Sequence, residues 1–550
     1  MRRPIRPVWA CPGHPHGHIA ATDGRDKPGH DAEGWKSPRM SRRSKQLDTA
    51  LLQGERLHAA GRLKEAEQIY RQILAAEPRH ADATHKLGVL ALQAGHPDAA
   101  LDLFDGAIAV KPFISPYHVH RAHALLALGR PADAVAACRI ALRTKSNNAE
   151  AYQVLGHAHT DALQAGEALR AYREAARLKP DMPDLFNNLG TALRNIGALE
   201  EAETRLREAM RRAPGDLGVQ LNLSSVLKEL GKTEDAESLL RDALRRQPND
   251  PVLLYNRSLL LLLTGRDAEA WPGWEQRFAA RAVPNRGLPQ PQWNGEPLNG
   301  RTLLVYAEQG LGDTIQFCRF LPALDGAVVF EAPPRLRRLL STLPGAPPTI
   351  VPGEAVTAEL VCPLMSILAR TGAPIPANVP YLSAEPDRVA RWRERIGTAG
   401  LKIGVAWQGN PGRAEDRGRS IPLREFAPLA AVPGVRLISL QKNDGTQQLQ
   451  DAPAVETLGR DFDAGSDGFL DAAAVTMCVD IVVTSDTSIA HLAGALGRPV
   501  WVALRKVPDW RWQLGRDDNP WYPTMRLFRQ AERDEWGPVF AAMAAALAAA

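Results

Sequence analysis

Residues 480–504 read DIVVTSDTSIAHLAGALGRPVWVAL, and this stretch decides the fold of the C-terminal half. The β-branched run at 481–484 predicts a buried parallel strand, and the apolar sequence at 489–496 predicts a helix that ends at Gly497. The run at 500–504 predicts the next strand. A strand, a tight turn, a helix and a second strand together form the unit of an open α/β sheet.

Three polar residues, Asp486, Thr487 and Ser488, lie in the turn between the first strand and the helix. They lie at the carboxyl end of a strand, where open α/β sheets bind their ligands. The helix N-terminus at this place also offers free N–H groups to a phosphate. The turn is therefore a predicted anion-binding site, with the alternative that Asp486 only caps the helix.

The rest of the C-terminal half predicts two open parallel-sheet lobes. Residues 301–316 combine a buried strand, a glycine loop and the start of a helix, and further short strands alternate with helical patterns. A second series of strands is predicted at 402–407, 435–440, 481–484, 500–504 and 525–528. The predicted boundaries are a linker at 284–300, a first lobe at 301–384, a connecting helix at 385–398 and a second lobe at 399–550.

The N-terminal half repeats with a period of 34 residues. One alanine recurs at every period, at Ala66, Ala100, Ala134, Ala168, Ala202, Ala236 and Ala270. Most copies also carry a glycine before this alanine and a proline after it, which is the pattern of a hairpin of two closely packed helices. Seven such hairpins over 47–283 predict an α-solenoid. The last copy carries Trp271, Trp274 and Arg277, as expected of a terminal repeat that packs on another domain.

These repeats resemble the tetratricopeptide repeat family, whose solenoids bind proteins or peptides in a concave groove. The resemblance implies a protein or peptide partner. Asn188, Asn222 and Asn256 share one repeat position, and each amide can match one peptide unit of an extended chain. The arrangement is similar to the asparagine ladder of the eukaryotic O-GlcNAc transferases and predicts a peptide groove. Alternatively, asparagine belongs to the repeat consensus.

Two motifs in the C-terminal half resemble the heptosyltransferase family. EQGLGDTIQF at 308–317 is similar to that family's SLGD loop, and DTSIAHLAGALG at 486–497 is similar to its DTG-x-x-HL-x-A-A-LG motif. The resemblance implies the GT-B architecture, in which two open parallel-sheet domains face each other across a cleft. The predicted fold class is therefore an α-solenoid followed by an α/β, GT-B-like pair of lobes. Ser488 stands where the family usually has glycine, which leaves the donor open.

The same resemblance implies roles for individual residues. Asp313 is expected to be the catalytic base and His491 to donate to the leaving diphosphate, while Gly310 and Gly312 let backbone approach the ligand. The alternatives are that Asp313 caps a helix and that His491 is a buried histidine bonded to a carbonyl. The predicted donor-binding residues are Trp407, Asn410, Arg419, Gln441, Lys442, Asp486, Thr487 and Ser488. Arg419 and Lys442 are the cationic candidates for the diphosphate, with surface solvation as the alternative.

No metal and no cofactor are predicted, apart from the nucleotide-sugar as co-substrate. Asp461 and Asp463 form a DxD pattern, but they lack the sequence context of the metal-dependent glycosyltransferase architecture. The segment from Asp509 to Trp512 is expected either to close the cleft or to anchor the fold.

The composition limits which partners and which cellular compartment the sequence predicts. The net charge of +5 comes from 67 basic and 62 acidic residues that are scattered, so it gives no argument for nucleic acid. No run reaches the roughly 18 apolar residues of a transmembrane helix. The five cysteines lie far apart and predict reduced thiols in a cytoplasmic protein. Residues 1–46 are expected to be disordered, with the natural start at Met40.

The leading hypothesis is an inverting, metal-independent glycosyltransferase whose solenoid recruits the acceptor. One alternative is a non-catalytic adaptor that retains a degenerate transferase domain. Another is that the acceptor is a surface glycan and the solenoid serves only for assembly.

Overall fold

The computed structural model describes residues 42–549, apart from 183, 377, 413–415, 417 and 453. The predicted start at Met40 and the expected disorder of residues 1–41 lie outside this part of the chain. The first helix begins at Arg42, inside the segment 1–46 for which disorder was expected. Lysine, glutamine and leucine follow Arg42 and favour helix, and this explains the earlier start.

The N-terminal half is a succession of paired helices. In chain order they are α1 Arg42–Ala59, α2 Leu63–Ala76, α3 Ala81–Gln93, α4 Pro97–Val110, α5 Ser115–Ala127, α6 Pro131–Thr144, α7 Ala149–Asp161, α8 Ala165–Leu178, α9 Leu185–Asn195, α10 Leu199–Arg212, α11 Leu217–Glu229, α12 Thr233–Arg246, α13 Pro251–Leu263 and α14 Asp267–Trp274. The α-solenoid prediction is confirmed.

Each hairpin is packed by the residues that define its period. The seven periodic alanines are all buried, which lets the two helices of a pair approach closely. In the second hairpin Phe104 lies against Gly88, where an alanine Cβ would be 2.6 Å from the ring carbon Cε1. The turn glycines take positive φ, as at Gly95 with φ +82°. Leu163, which replaces glycine in the fourth repeat, also adopts a positive φ of 59°.

The C-terminal half contains two parallel sheets. Its elements are β1 Thr302–Tyr306, α15 Leu311–Phe317, β2 Ala327–Glu331, α16 Arg337–Leu340, β3 Thr349–Ile350, β4 Leu360–Pro363, α17 Ile367–Thr371, α18 Pro386–Ile396, β5 Leu401–Ala406, α19 Ala427–Ala430, β6 Val435–Ser439, β7 Val455–Glu456, α20 Leu470–Thr476, β8 Ile481–Ser485, α21 Ser488–Ala495, β9 Val500–Leu504, β10 Met525–Arg529 and α22 Gly537–Ala548. The first sheet has the order β3-β2-β1-β4, and the second has the order β10-β9-β8-β5-β6-β7. Every strand pair in both sheets is parallel.

The described chain divides into two compact units, the repeat unit at 42–230 and the C-terminal unit at 231–549. Within the C-terminal unit, the last repeat packs on the sheets. Trp274 lies against Trp510, with ring centroids 5.3 Å apart, and the buried Arg277 donates to Glu308 from Nε at 3.0 Å. This agrees with the expectation that the terminal repeat packs on another domain. In the part of the chain that the structure describes, no helix has both the length and the apolar character needed to cross a bilayer.

Candidate functional site

A cleft of about 540 Å³ lies between the two sheets of the C-terminal unit. The residues that line it come mostly from loops at the carboxyl ends of strands. The loop after β1 contributes the glycines, the loop after β8 contributes Asp486 to Ser488, and the loop after β9 contributes Asp509 and Arg511. Parallel sheets leave their ligand sites at these ends, because the connecting helices cover both faces of the sheet.

The wall of the first lobe is the loop from Gly310 to Asp313. Asp313 accepts a hydrogen bond from the backbone N–H of Gly310 through Oδ2, at 2.7 Å, and so closes the first turn of α15. The N-cap position proposed as the alternative role of Asp313 is occupied by Gly310, and Asp313 contributes to the cap from the third residue of the helix. Gly312 lies where α15 meets α21, because an alanine Cβ at this position would be 2.9 Å from His491 Cδ2. Only glycine permits this approach of the two helices.

The second oxygen of Asp313 has a partner from the other lobe. Oδ1 accepts a hydrogen bond from Arg511, which also donates to Asp509 at 2.7 Å and to Gln316 at 3.0 Å. Burial lowers the pKa of Arg511, but Asp313 and Asp509 outweigh it and hold that pKa above its ordinary value. In the segment from Asp509 to Trp512, Trp512 is fully buried, as expected of an anchor, and Arg511 lines the cleft. Closure of the cleft by this segment stays a prediction.

The facing wall is the turn from Asp486 to Ser488 and the first turn of α21. Thr487 is the N-cap residue of α21 and makes no side-chain capping bond, so the capping alternative for Asp486 is wrong. Asp486 instead accepts from Arg419, at 3.0 Å through Oδ1, while the same guanidinium donates to the Asp486 carbonyl at 2.6 Å. Burial raises the pKa of Asp486 and Arg419 opposes that shift. The predicted phosphate cation Arg419 is thus paired with a carboxylate.

His491 lies one turn into α21 and is buried. Its ring is stacked on Trp512 with a centroid distance of 5.2 Å, and its Nδ1 lies 3.1 Å from the hydroxyl of Tyr522. Burial, followed by the positive charge of Arg511, lowers the pKa of His491 to about 3, so the imidazole is neutral at physiological pH. The carbonyl-bonded alternative is wrong, because the partner is a tyrosine hydroxyl.

The tyrosines beside His491 favour one tautomer of its ring. Tyr381 donates its single hydroxyl hydrogen to the Ile315 carbonyl at 2.9 Å. The Tyr522 hydroxyl, 3.4 Å from that of Tyr381, must therefore donate either to Tyr381 or to His491 Nδ1. The His491 contact is the shorter of the two. A donated hydrogen at Nδ1 leaves the proton of the neutral ring on Nε2, where it can be donated to a ligand.

Three other predicted donor-binding residues line the cleft, and they differ in how many hydrogen bonds their side chains already make. Gln441 uses its amide to join two loops, accepting from Trp407 N and Gln408 N and donating to two backbone carbonyls. Asn410 is exposed and accepts from Gly412 N at 2.9 Å. Lys442 donates to the Phe462 carbonyl. The prediction that these residues bind the donor stays a prediction.

Trp407 does not line the cleft. Its side chain is fully buried in the core of the second lobe, and its indole N–H donates to the Gly445 carbonyl at 3.2 Å. The proposed contact of Trp407 with the donor is therefore wrong. The residue follows β5 directly, and its side chain points into the sheet core rather than along the strand into the cleft.

Asp461 and Asp463 have separate partners. Asp461 pairs with Arg395 at 2.7 Å, whereas Asp463 accepts from the N–H of Asp471 at 2.8 Å and gives its own N–H to the Asp471 carboxylate. Burial raises the pKa of Asp463. Within the described ranges, no group of three or more candidate ligand residues is arranged to hold a metal ion.

The sequence did not predict several residues that line the cleft. Arg335 and Phe469 are the main ones, and Asp416 and Asp444 also line the cleft. Arg335 follows the predicted strand β2 by only a few residues, which was the available signal, but its neighbours PPRLRR are typical of any basic surface turn.

The three asparagines of the predicted peptide groove already have partners. The amide nitrogen of Asn188 lies 3.0 Å from His157 Nε2, that of Asn222 donates to Asn187 at 2.9 Å, and that of Asn256 donates to the Val252 carbonyl at 2.8 Å. All three side chains are partly exposed. A peptide would therefore replace or share these bonds, and the groove stays a prediction.

Comparison with known protein families identifies the type of the helical hairpins. A family model described as "Tetratricopeptide repeat" matches residues 57–122 and 197–256, and a second model of the same description matches 154–216. The hairpins are tetratricopeptide repeats. Repeats of this kind serve in protein interaction, so the tetratricopeptide repeats give this chain an interaction module.

Individual proteins are similar over part of the chain. Protein FlbA of Caulobacter vibrioides is 29% identical over 326 residues, which cover 52% of this chain and 53% of FlbA. The chain therefore spans about half the length of this relative. The structure of TTC0263, a tetratricopeptide repeat protein of Thermus thermophilus, covers 33% of this chain and 98% of its own, at 22% identity and a TM-score of 0.29. That of YrrB, described as having an unusual peptide-binding site, covers 32% and 91%, at 21% identity and a TM-score of 0.28.

Proposed function

We propose that the C-terminal unit is a GT-B-type glycosyltransferase that moves a sugar from a nucleotide-sugar to an acceptor recruited by the tetratricopeptide repeats. The observation that carries this proposal is the meeting of two motifs at one cleft. The loop of Asp313 and the helix of His491 come from different lobes, and they approach so closely at Gly312 that only glycine fits. Both motifs lie at the carboxyl ends of parallel strands, the usual position of a ligand site.

The proposed reaction inverts the configuration of the sugar and uses no metal. An acceptor oxygen attacks the anomeric carbon and loses its proton to the carboxylate of Asp313, while the nucleoside diphosphate leaves with the bonding electron pair. Each oxygen of Asp313 accepts one hydrogen bond in the structure and retains a further lone pair for that proton. The N–H of His491 and the free backbone N–H groups of the first turn of α21 would stabilise the charge that develops on the diphosphate.

A non-catalytic adaptor is the second candidate. The observation that favours it is the ion pair between Asp313 and Arg511, which already occupies one oxygen of the proposed base. The small first sheet of four strands also leaves little room for an elaborate acceptor site.

The deciding experiment measures nucleotide binding and transfer in the full chain. Thermal shift with UDP, ADP and GDP should reveal stabilisation by one of them, and release of that nucleotide from the corresponding nucleotide-sugar should be slowed about 10²- to 10⁴-fold in Asp313→Asn. Asp325→Asn, an exposed carboxylate of the same lobe outside the cleft, is the matched control and should leave release unchanged. If no nucleotide stabilises the wild-type protein, the adaptor function is the correct one.

A further inference from the structure

Four cationic side chains line the cleft, and they differ in how their charge is balanced. Arg419 is paired with Asp486 at 3.0 Å, and Arg511 is paired with both Asp313 and Asp509. In both cases a buried or half-buried carboxylate neutralises the guanidinium. These two arginines therefore hold neighbouring cleft residues in position, and their positive charge is neutralised by the paired carboxylates.

The other two cations, Arg335 and Lys442, have no carboxylate within ion-pair distance among the residues that the structure describes. Lys442 gives one of its three N–H donors to the Phe462 carbonyl. Arg335 makes no hydrogen bond to any described residue, so its guanidinium keeps all five donors. A guanidinium with an unused fork matches the paired oxygens of a phosphate.

Arg335 and Lys442 belong to opposite lobes. Arg335 lies in the turn Pro334–Leu336, which follows β2 of the first sheet. Lys442 lies in the loop after β6 of the second sheet. Arg335 also reaches across to the second lobe, since an alanine Cβ at Gly468 would be 3.4 Å from its Nε. An anion bound by both residues would thus join the two lobes.

We propose that Arg335 and Lys442 form the site for the diphosphate group of the donor, one cation from each lobe. This inference rests on the proposed function and assigns its anion site to a residue of the first lobe. Six carboxylates line the cleft against four cations, so the net charge of its side chains does not itself attract an anion. The diphosphate is therefore held by direct contacts with the two unpaired cations rather than by the net charge of the cleft.

The test is a series of ligands with increasing phosphate. Isothermal titration calorimetry on the full chain would compare a nucleoside, its monophosphate, its diphosphate and inorganic pyrophosphate, using the base that stabilises the wild-type protein. Arg335→Gln and Lys442→Gln should each weaken diphosphate and pyrophosphate binding about tenfold or more, and leave nucleoside binding unchanged. Arg335→Lys keeps the charge and loses the fork, so it should weaken binding by a smaller factor.

Arg338→Gln is the matched control. Arg338 lies three residues from Arg335 and is half exposed. It pairs with Glu385 at 2.5 Å and with Asp467 at 3.7 Å, and neither carboxylate lines the cleft. Its loss should leave all four affinities within about twofold of wild type.

The remaining outcomes separate this inference from the proposed function. Unchanged diphosphate affinity in Arg335→Gln, or equal weakening of nucleoside and diphosphate, would overturn the inference while the proposed function stands. Pyrophosphate binding that Arg335→Gln abolishes, in a protein that binds no nucleotide, would support the anion site and contradict the nucleotide-sugar. Absence of both pyrophosphate and nucleotide binding in the wild type would contradict both.

Discussion

A ring packed on a glycine occurs in both units of the molecule, with different consequences. In the fourth repeat Tyr172 lies against Gly156, where an alanine Cβ would be 2.6 Å from its Cδ1. In α21 Tyr522 lies against Gly494, where an alanine Cβ would be 2.6 Å from its Cγ. The contact in the repeat joins two helices of one hairpin. The buried contact of Tyr522 with Gly494 also holds His491, which lines the cleft, through the tyrosine hydroxyl.

Two contacts with the same packing geometry therefore have different roles in the two units. Displacing a ring in the repeat unit should lower the stability of that unit and leave ligand binding in the cleft unchanged. Displacing Tyr522 should cost stability and also move the imidazole that faces the ligand. Paired variants, one in the repeat unit and one in the C-terminal unit, can therefore test whether only the second contact affects ligand binding.

The largest effect is expected from removing a whole ring. Phe104→Ala should destabilise the repeat unit by about 3–5 kcal/mol, because the fully buried ring leaves a cavity against Gly88. Tyr522→Ala should cost a similar amount in the C-terminal unit and should also weaken nucleotide binding. Hydrogen exchange of α3 and of α21 would report the two units separately. A loss of nucleotide affinity in Phe104→Ala would break the contrast.

The second-largest loss of stability is expected from adding a methyl group at the two glycines that contact a tyrosine ring. Gly494→Ala and Gly156→Ala place a methyl group at nearly the same distance from a buried tyrosine ring, so each should cost about 3 kcal/mol. Only Gly494→Ala should also lower the affinity for the nucleoside diphosphate, since it pushes Tyr522 away from His491. Urea denaturation and calorimetry with the stabilising nucleotide measure the two effects. Equal affinities in both variants would show that the position of Tyr522 does not matter to the ligand.

The sequence was informative where partners recur at fixed spacing. The alanines, glycines and large side chains of the repeats meet within one 34-residue period, so one repeat predicts the packing of the others. The strands of the second sheet were likewise predicted from short, largely apolar runs, apart from the two-residue strand β7. Such local signals need no knowledge of the rest of the chain.

Side-chain partners in the cleft could not be predicted in the same way. Arg511 is 198 residues from Asp313 along the chain, and Arg419 is 67 residues from Asp486, so no spacing rule connects them. The motif around His491 indicated the wall, but not that a tyrosine of a later loop would hold the ring. Trp407 was misplaced because a residue at a strand end points either to the cleft or to the core, and the sequence does not decide which.

The pH dependence of stability offers a third comparison, because each unit holds a buried neutral histidine. Burial is the main cause that lowers the pKa of His491 to about 3 and that of His85 to about 2. The unfolded chain binds a proton at each site near pH 6.5, whereas the folded chain does not until far lower pH. Stability should therefore fall as pH drops through about 6.5, by about 2 kcal/mol per histidine between about pH 7.5 and 5.

Single variants would assign this pH dependence to each unit. His491→Gln should flatten the decline in the protection of α21. His85→Gln should reduce the decline of α3 only in part, because burial also lowers the pKa of His123 to about 3 and lowers that of His120, which lies 3.1 Å from His85. Hydrogen exchange at about pH 7.5 and about pH 5 measures both declines. Only the first variant should alter nucleotide affinity. A decline that persists in α21 after His491→Gln would mean that another group carries it.

The smallest effect, and the most selective one, is expected from removing a single hydroxyl. Tyr522→Phe keeps the ring on Gly494 and deletes the hydroxyl beside His491 Nδ1, so it should cost about 1 kcal/mol. It should also weaken nucleotide binding, because the imidazole then has no donor to hold its proton on Nε2. Tyr172→Phe removes the contact of 3.4 Å with Thr160 in the repeat unit and should leave nucleotide binding unchanged. Nitrogen-15 shifts of His491 would report the tautomer directly. A ring that carries its proton on Nδ1 in the wild type could not donate from Nε2 to a diphosphate, and the cleft would then depend on its cations and on the backbone N–H groups of α21 alone.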